Sequence, residues 1–233
     1  MTKKRKVLIT GATGSLGEAL ARKFSTENYD LITTSRTPRS EPNRHIICDL
    51  EEPIQLANLC ADIRSIGIDV IINNAGINLV KPFDEIDLGA LEKTLQINLI
   101  APVLLTQAAI PNMLANNWGR VINVGSILGQ ISRAGRSTYS ISKAGLVGFT
   151  KAISAEYAEH GITSNCVAPG YLDSELTRKN LSQEEIEIVI DDIPAKRLGK
   201  TEEISCLVAF LASEDSGFIT GQVLTADGGQ VSS

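Results

Sequence analysis

Tyr139 and Lys143 lie four residues apart at the start of a strongly helical stretch, and together they could carry out acid–base chemistry. Residues at this spacing lie on the same face of a helix. A nearby ammonium group favours the phenolate, and a fall of about 2–3 units in the tyrosine pKa, worth about 3–4 kcal/mol, makes the phenol a competent acid–base group near neutral pH. We therefore predict a lowered pKa for Tyr139. The pair alone is a weak signal, because such pairs are common on exposed helix faces.

Polar residues follow two predicted buried strands at the point where each strand ends. Ser126 comes after a strand over residues 120–124, and Asn73, Asn74, Ala75 and Gly76 end a strand over residues 69–73. Ligands of open α/β sheets bind at the carboxyl ends of the strands, so we expect these residues beside one crevice. Asn98 interrupts an apolar run in the next predicted helix, where capping of a neighbouring strand is the alternative explanation.

A glycine-rich turn joins the first predicted strand, residues 6–10, to a helix. Its glycines let the chain turn tightly and approach a ligand, and the helix offers free N–H groups and a positive dipole end to a pyrophosphate. A turn that binds no ligand is the alternative explanation. We predict a dinucleotide site at Gly11, Thr13, Gly14, Ser15, Leu16 and Gly17.

The second predicted strand, residues 30–34, ends beside the expected position of the adenosine ribose. No acid follows it to bind two ribose hydroxyls; the chain continues with Ser35 and Arg36. An arginine here can pair with a 2′-phosphate, which favours NADP(H) over NAD(H). The alternative is an ordinary exposed arginine.

Composition excludes several other classes of protein. The chain has 233 residues, 43% of them hydrophobic and 21% charged, with a net charge of −5. This balance argues against a nucleic-acid-binding surface, and no run of 18 apolar residues indicates a membrane span. Two distant histidines and four scattered cysteines predict neither a metal site nor disulfides, so we expect a metal-independent cytoplasmic protein.

Short apolar runs alternate with amphipathic stretches, which predicts an α/β fold: a doubly wound, Rossmann-type parallel sheet of about seven strands with helices on both faces. We expect one domain over residues 1–233. The other predicted strands cover 45–48, 163–168 and 222–225; the predicted helices cover 16–27, 54–66, 88–115, 139–160, 183–190 and 202–212.

Residues 173–192 hold seven acidic side chains against two basic ones, a local charge of −5. A solvated segment of helix and loop is one explanation of this shift in composition. The other is a movable substrate flap, which we place near residues 173–200.

Taken together, these motifs resemble the short-chain dehydrogenase/reductase family over essentially the whole chain. The resemblance implies that Tyr139 is the general acid, that Lys143 lowers its pKa and holds the nicotinamide ribose, and that Ser126 hydrogen-bonds the substrate oxygen. Asn98 would support a water-linked proton relay to Lys143. The resemblance also places further residues along the cofactor: Asp49 and Leu50 at the adenine, then Asn74, Ala75 and Gly76, and Pro169 and Gly170 beside the nicotinamide.

The glycine turn departs from the pattern of the short single-domain branch, which has glycine where this chain has Ser15. Several segments are most similar to bacterial 3-oxoacyl-acyl-carrier-protein reductases, so a 3-oxoacyl thioester is the first substrate hypothesis. Arg178 fits an acidic carrier, whereas the acidic segment 173–192 would repel one. The alternatives are a dehydrogenase of a sugar, polyol or specialised metabolite, and an NADP(H)-binding regulator without turnover. The resemblance also implies a homotetramer or homodimer, formed through the helices over 88–115 and 139–160 and the C-terminal segment.

Overall fold

The computed structural model describes residues 4–39 and 44–232, which fold around one sheet of seven parallel strands. The strands lie in the order β3-β2-β1-β4-β5-β6-β7. The order therefore reverses between β1 and β4, and in open parallel sheets such a switch opens a ligand crevice at the carboxyl ends of the strands. The strands are β1 (Arg5–Thr10), β2 (Tyr29–Ser35), β3 (Arg44–Ile47), β4 (Val70–Asn73), β5 (Gly119–Val124), β6 (Ile162–Pro169) and β7 (Val223–Ala226).

Helices connect the strands and cover both faces of the sheet. They are α1 (Ser15–Ser25), α2 (Pro53–Ile66), α3 (Leu88–Leu95), α4 (Ala101–Ala115), α5 (Ser137–Tyr157), α6 (Glu175–Asn180), α7 (Gln183–Asp192) and α8 (Thr201–Ala212). Successive side chains of a strand point to opposite faces, so the central strands supply two hydrophobic cores. Leu8 and Ile71 belong to the core that contains residues of α2 and α4, while Val7 and Ile72 belong to the core that contains residues of α1 and α8.

The amino edge of the sheet is held together by polar and aromatic contacts. Asp69 accepts hydrogen bonds from the backbone N–H of Lys6 (2.9 Å) and from Nδ2 of Asn112 (3.1 Å). The Arg120 guanidinium stacks 4.3 Å from the centre of the Trp118 ring. These contacts tie strands and helices to one another at the edge opposite the carboxyl ends.

The predicted fold class and all seven predicted strands are confirmed, with boundaries shifted by one residue at most. The predicted helix over 88–115 is interrupted by a π-helical turn, Gln96–Ile100, between α3 and α4. Pro102 has no N–H to donate to the carbonyl of Asn98, so the ordinary helical hydrogen bond cannot form there. The prediction also missed α6, which is only six residues long.

One helical stretch of the described residues, Leu88–Ala115, is long and apolar enough by length and composition to cross a membrane. Its most apolar window is 56% buried inside the fold. Leu105, Ala108 and Met113 of α4 are members of one of the two cores, which accounts for the apolar composition.

Candidate active site

Ser126, Tyr139 and Lys143 are brought together at the carboxyl edge of the sheet. Ser126 follows β5, and its Oγ accepts a hydrogen bond from the N–H of Leu128 (3.1 Å). The serine hydroxyl therefore has its own proton free to donate to a ligand. Lys143 is 3% exposed; its Nζ donates to the carbonyl of Val124 (2.7 Å) and lies 5.5 Å from the centre of the Tyr139 ring. The site thus combines two hydroxyl groups with a buried ammonium group.

The protonation behaviour of this pair differs from the sequence-based prediction. Burial raises the pKa of Tyr139 to about 12, and the smaller, opposing effects come from the hydroxyl of Ser126 and the charge of Arg136. Burial also lowers the pKa of Lys143 to about 8. The predicted fall in the tyrosine pKa is therefore wrong for the protein alone, because desolvation of the phenolate outweighs nearby positive charge. Tyr139 is a protonated acid throughout the neutral pH range.

Asn98 is fully buried in the π-helical turn, and its side chain braces the loop after β4. Its Oδ1 accepts from the N–H of Ile77 (2.8 Å), and its Nδ2 donates to the carbonyl of Ile77 (2.9 Å) and to Oγ of Ser142 (3.0 Å). Both N–H groups of the side chain are therefore used within the fold. Pro102 denies the backbone carbonyl of Asn98 its ordinary helical donor.

The glycine turn has the geometry of a dinucleotide cradle. Gly11 has φ +66° and a Cβ there would lie 2.7 Å from Cα of Ala75, while a Cβ on Gly17 would lie 2.1 Å from the carbonyl oxygen of Gly11. Gly14 is the N-cap of α1 and provides no side-chain cap, which leaves the first N–H groups of the helix open to a ligand. The residues present therefore fit a pyrophosphate.

Thr10 and Asn74 hold this turn in place from the neighbouring strand ends. The Oγ1 of Thr10 accepts hydrogen bonds from the N–H groups of Asn74 and Ala75, both at 3.0 Å. In return, Nδ2 of Asn74 donates to the carbonyls of Thr10 (2.9 Å) and Gly11 (3.2 Å). The sequence analysis included Asn74 and Ala75 but missed Thr10, the last residue of β1.

The end of β2 lies beside the glycine turn. Arg36 is exposed there, and the next residue, Thr37, donates through Oγ1 to Oγ1 of Thr13 (3.4 Å). Ser35 is buried, and its hydroxyl donates to the carbonyl of Thr37 (2.7 Å) rather than facing outward. The Leu16 side chain packs against a core. The position of Arg36 is consistent with a 2′-phosphate contact, which remains a prediction.

The remaining predicted cofactor residues lie along the same edge. Asp49 accepts through Oδ1 from the N–H of Glu51 (3.0 Å), and Leu50 is buried in the core. A Cβ on Gly76 would lie 3.6 Å from Nζ of Lys143, which places this glycine beside the predicted catalytic lysine. Pro169 ends β6, and the N–H of Gly170 donates to the carbonyl of Ala226 (3.0 Å).

A cavity opens between the catalytic side chains and the acidic segment. Its catalytic wall contains Ser126 and Tyr139, and α6 contributes Leu176 and Thr177 from the opposite side. The segment is fastened over the site, since the N–H of Glu175 donates to Oγ of Ser15 (3.1 Å) in the glycine turn. Ser15, the departure from the short-branch pattern, therefore contacts the predicted flap.

Two further cavity residues escaped the sequence analysis. Arg136 lies three residues before Tyr139, and Asn78 lies two residues after Gly76. Their adjacency to recognised motifs was the available signal. Their burial depends on packing between distant loops, which no local pattern encodes.

Comparison with known proteins places the chain among oxidoreductases. The family model described as Enoyl-(Acyl carrier protein) reductase matches residues 11–230. The chain is 36% identical over 233 residues to a 3-oxoacyl-acyl-carrier-protein reductase of Rickettsia bellii (strain RML369-C), covering 96% of this chain and 95% of that protein.

Solved structures with the same architecture include two proteins described as gluconate 5-dehydrogenases, one of them provisionally. A protein from Beutenbergia cavernae, provisionally assigned as an NAD(P) dependent gluconate 5-dehydrogenase, has NADP bound at low occupancy. It matches with a TM-score of 0.94 and 28% identity, covering 100% of this chain and 98% of that one. A gluconate 5-dehydrogenase from Burkholderia cenocepacia J2315 in complex with NADP and tartrate matches with a TM-score of 0.91 and 28% identity, covering 98% and 96%.

Proposed function

The chain belongs to the short-chain dehydrogenase/reductase family of NADP-dependent oxidoreductases, and we propose that its site reduces a ketone to a secondary alcohol with Tyr139 as the general acid. The observation that carries the proposal is the grouping of Ser126, Tyr139 and Lys143 beside the glycine turn. Two hydroxyl donors can converge on one carbonyl oxygen there, where negative charge develops during the reaction.

The residues would divide the reaction as follows. NADPH held at the glycine turn would supply the hydride that the carbonyl carbon takes up. Ser126 would donate a hydrogen bond to the carbonyl oxygen, which can only accept, while the N–H of Leu128 donates to the same hydroxyl and orients it. Tyr139 transfers its phenolic proton to the same oxygen and completes the alcohol. A pKa of about 12 keeps the phenol protonated and ready for this step at neutral pH.

Lys143 and Asn98 would then restore the proton. The lowered lysine pKa, about 8, permits the ammonium group to give up a proton near neutrality. The Asn98 carbonyl would hold the water that supplies a replacement. Gly11, Gly14, Gly17 and the open end of α1 would hold the pyrophosphate, and Arg36 would select NADP(H).

Two substrate classes have support. The 3-oxoacyl thioester is favoured by the name of the Rickettsia relative, and the hydroxy acid by the Burkholderia structure with its NADP and tartrate. Arg178, the basic residue expected to attract a carrier protein, is paired with Asp173. This pairing leaves the flap, proposed over residues 173–200, acidic at its entrance and supports a small substrate over an acidic carrier.

We also propose a cytoplasmic homo-oligomer, a tetramer or a dimer. Exposed apolar side chains on α4 and α5, Leu104 and Ile141, support an interface through these helices, and the fully exposed Phe218 supports one near the C-terminal segment. Sedimentation of the purified protein measures the state directly.

A kinetic comparison of two variants tests the proposed function. Tyr139→Phe removes only the acidic hydroxyl, so NADPH oxidation with a ketone panel should fall at least about 100-fold. Tyr157→Phe, at the far end of α5, is the matched control and should keep wild-type activity. Retention of most activity by Tyr139→Phe would exclude the mechanism. NADPH binding without turnover across the panel would favour the regulator hypothesis.

A further inference from the structure

Arg136 is a buried cation without a counter-ion. Its side chain is 7% exposed, and its Nη1 has no hydrogen-bond partner. No ion pair to Arg136 is found among residues 4–39 and 44–232. A buried charge that lacks a partner is strongly unfavourable, so proteins rarely keep one without a use.

The position of Arg136 indicates that use. It is the N-cap residue of α5, three residues before Tyr139, and it lines the cavity that contains Ser126. The loop that carries it is fixed, because the carbonyl of Gly135 accepts from the N–H of Lys81 (3.1 Å). An anion in the cavity would meet both the guanidinium and the positive end of the 21-residue helix.

A second polar group in this cavity also lacks a partner. Oδ1 of Asn78 is buried and accepts no hydrogen bond. Lys81, whose N–H holds the Arg136 loop, lies three residues after Asn78, so the two unpartnered groups sit on loops that are joined directly. The cavity therefore offers an unused donor on Arg136 and an unused acceptor on Asn78.

The other walls of the cavity leave these groups little to bind. Ile127, Leu128, Leu176 and Leu181 line it with apolar surface. Two acidic residues of the flap have other partners: Asp173 pairs with Arg178, and Asp192 pairs with Arg133. The missing partner of Arg136 is therefore expected from the ligand.

We propose that Arg136 binds a carboxylate of the substrate at the wall of the cavity that also contains Asn78. The substrate class is then an oxo acid and its hydroxy-acid product, with the ketone held at Ser126 and Tyr139. The inference rests on the proposed ketone reduction and chooses the hydroxy acid over the thioester, whose acyl portion carries no negative charge.

Matched acids and esters test the inference on the whole protein. NADPH oxidation is measured with 3-oxobutanoate, 4-oxopentanoate and 5-oxohexanoate, each against its methyl ester, and with an acetoacetyl thioester. Thermal shifts of the NADP⁺ complex with the same compounds report binding without turnover. At least one acid should exceed its ester by about 10–100-fold in kcat/KM, or stabilise the complex where the ester does not.

Variants at two arginines separate specificity from folding. Arg136→Met should abolish the preference for acids, mainly by raising the KM of the acids toward that of the esters, and should unfold at a temperature no lower than wild type. Arg136→Lys keeps a charge and should retain part of the preference. Arg133→Met removes a half-buried cation paired with Asp192 and should change neither ratio.

The two proposals fail in different ways. If the esters or the thioester are reduced as well as the acids, and Arg136→Met leaves the ratios unchanged, the carboxylate site is excluded. Tyr139-dependent turnover would in that case still support ketone reduction. If acids bind only to wild type but no compound is reduced, the carboxylate site is supported and the proposed ketone reduction is excluded.

Discussion

Replacing Thr10 by valine tests the hydrogen bonds that join the glycine turn to the end of β4. Valine has nearly the shape of threonine but no hydroxyl. Thr10 is 2% exposed, and its Oγ1 accepts from two backbone N–H groups, those of Asn74 and Ala75. The substitution leaves both donors without an acceptor in a partly buried place, where water replaces the hydroxyl poorly.

The expected loss in the free energy of unfolding follows from the two N–H groups that are left unpaired. A buried polar group left unpaired costs about 1–3 kcal/mol. Two partly buried N–H groups therefore cost about 2–4 kcal/mol together. At about 2–4 °C per kcal/mol for a chain of this size, the unfolding temperature should fall by roughly 4–15 °C. NADPH affinity should fall as well, because the turn that holds the pyrophosphate is no longer braced.

Thr34 provides a matched control in the neighbouring strand. It pairs with Thr10 in the register of β1 and β2 and is 1% exposed, but its Oγ1 has no hydrogen-bond partner. Thr34→Val removes an unpaired hydroxyl and should leave the free energy of unfolding unchanged or raise it by about 1 kcal/mol. The same chemical change is thus expected to have opposite consequences at adjacent positions.

Urea unfolding gives the free energies, and fluorescence titration gives the NADPH affinities. Thr10→Ser keeps the acceptor and should recover most of the lost stability. Equal destabilisation by Thr10→Val and Thr34→Val would refute the reasoning, since it would show that volume or β-propensity, and not hydrogen bonding, determines the cost.

Three other predictions concern catalysis. Ketone reduction should be constant up to about pH 8 and fall above it as Lys143 loses its charge, whereas alcohol oxidation should rise with pH because it needs the phenolate of Tyr139, whose pKa is about 12. Profiles of kcat/KM from pH 5 to 10 in both directions measure this. A reduction rate that rises through pH 8 would contradict it. Arg36→Ala should weaken NADPH binding by about 1.5–3 kcal/mol and NADH binding little; equal losses would remove Arg36 from the cofactor site. Pro102→Ala restores a helical donor for the Asn98 carbonyl, so kcat for reduction should fall about 10-fold without loss of thermal stability; an unchanged kcat would exclude the carbonyl from the proton relay.

The sheet was predictable because its signal is local. Parallel strands buried on both faces contain short apolar runs, such as those of β1 and β4, and these runs are bounded by polar or glycine residues. The glycine turn was also predictable, because close backbone contacts require glycine. Gly17 approaches the carbonyl of Gly11, and Gly11 approaches the backbone of Ala75. Tyr139 and Lys143 were recognisable from their spacing together with the other motifs, Ser126 and the glycine turn among them.

Properties that arise from distant packing were not predictable. The pKa of Tyr139 rises because the phenol is desolvated by its surroundings in the fold, whereas the sequence shows only the lysine one turn away. The burial of Arg136 also depends on distant packing and was not predicted. The π-helical turn Gln96–Ile100 precedes Pro102, which removes a helical hydrogen bond, but the helical pattern of the apolar residues continues through it.

The parallel sheet separates the parts of this protein that can change from those that cannot. Asp69, Trp118 and Arg120 at the amino edge hold neighbouring parts of the fold together, so mutations there are expected to act through folding. The groups proposed for chemistry and specificity lie at the carboxyl edge, in loops and at the start of α5, where a side chain such as Arg136 can be exchanged without disturbing a strand. An enzyme built this way can acquire a new substrate during evolution while it inherits its scaffold unchanged, and directed evolution of this chain is best confined to those loops.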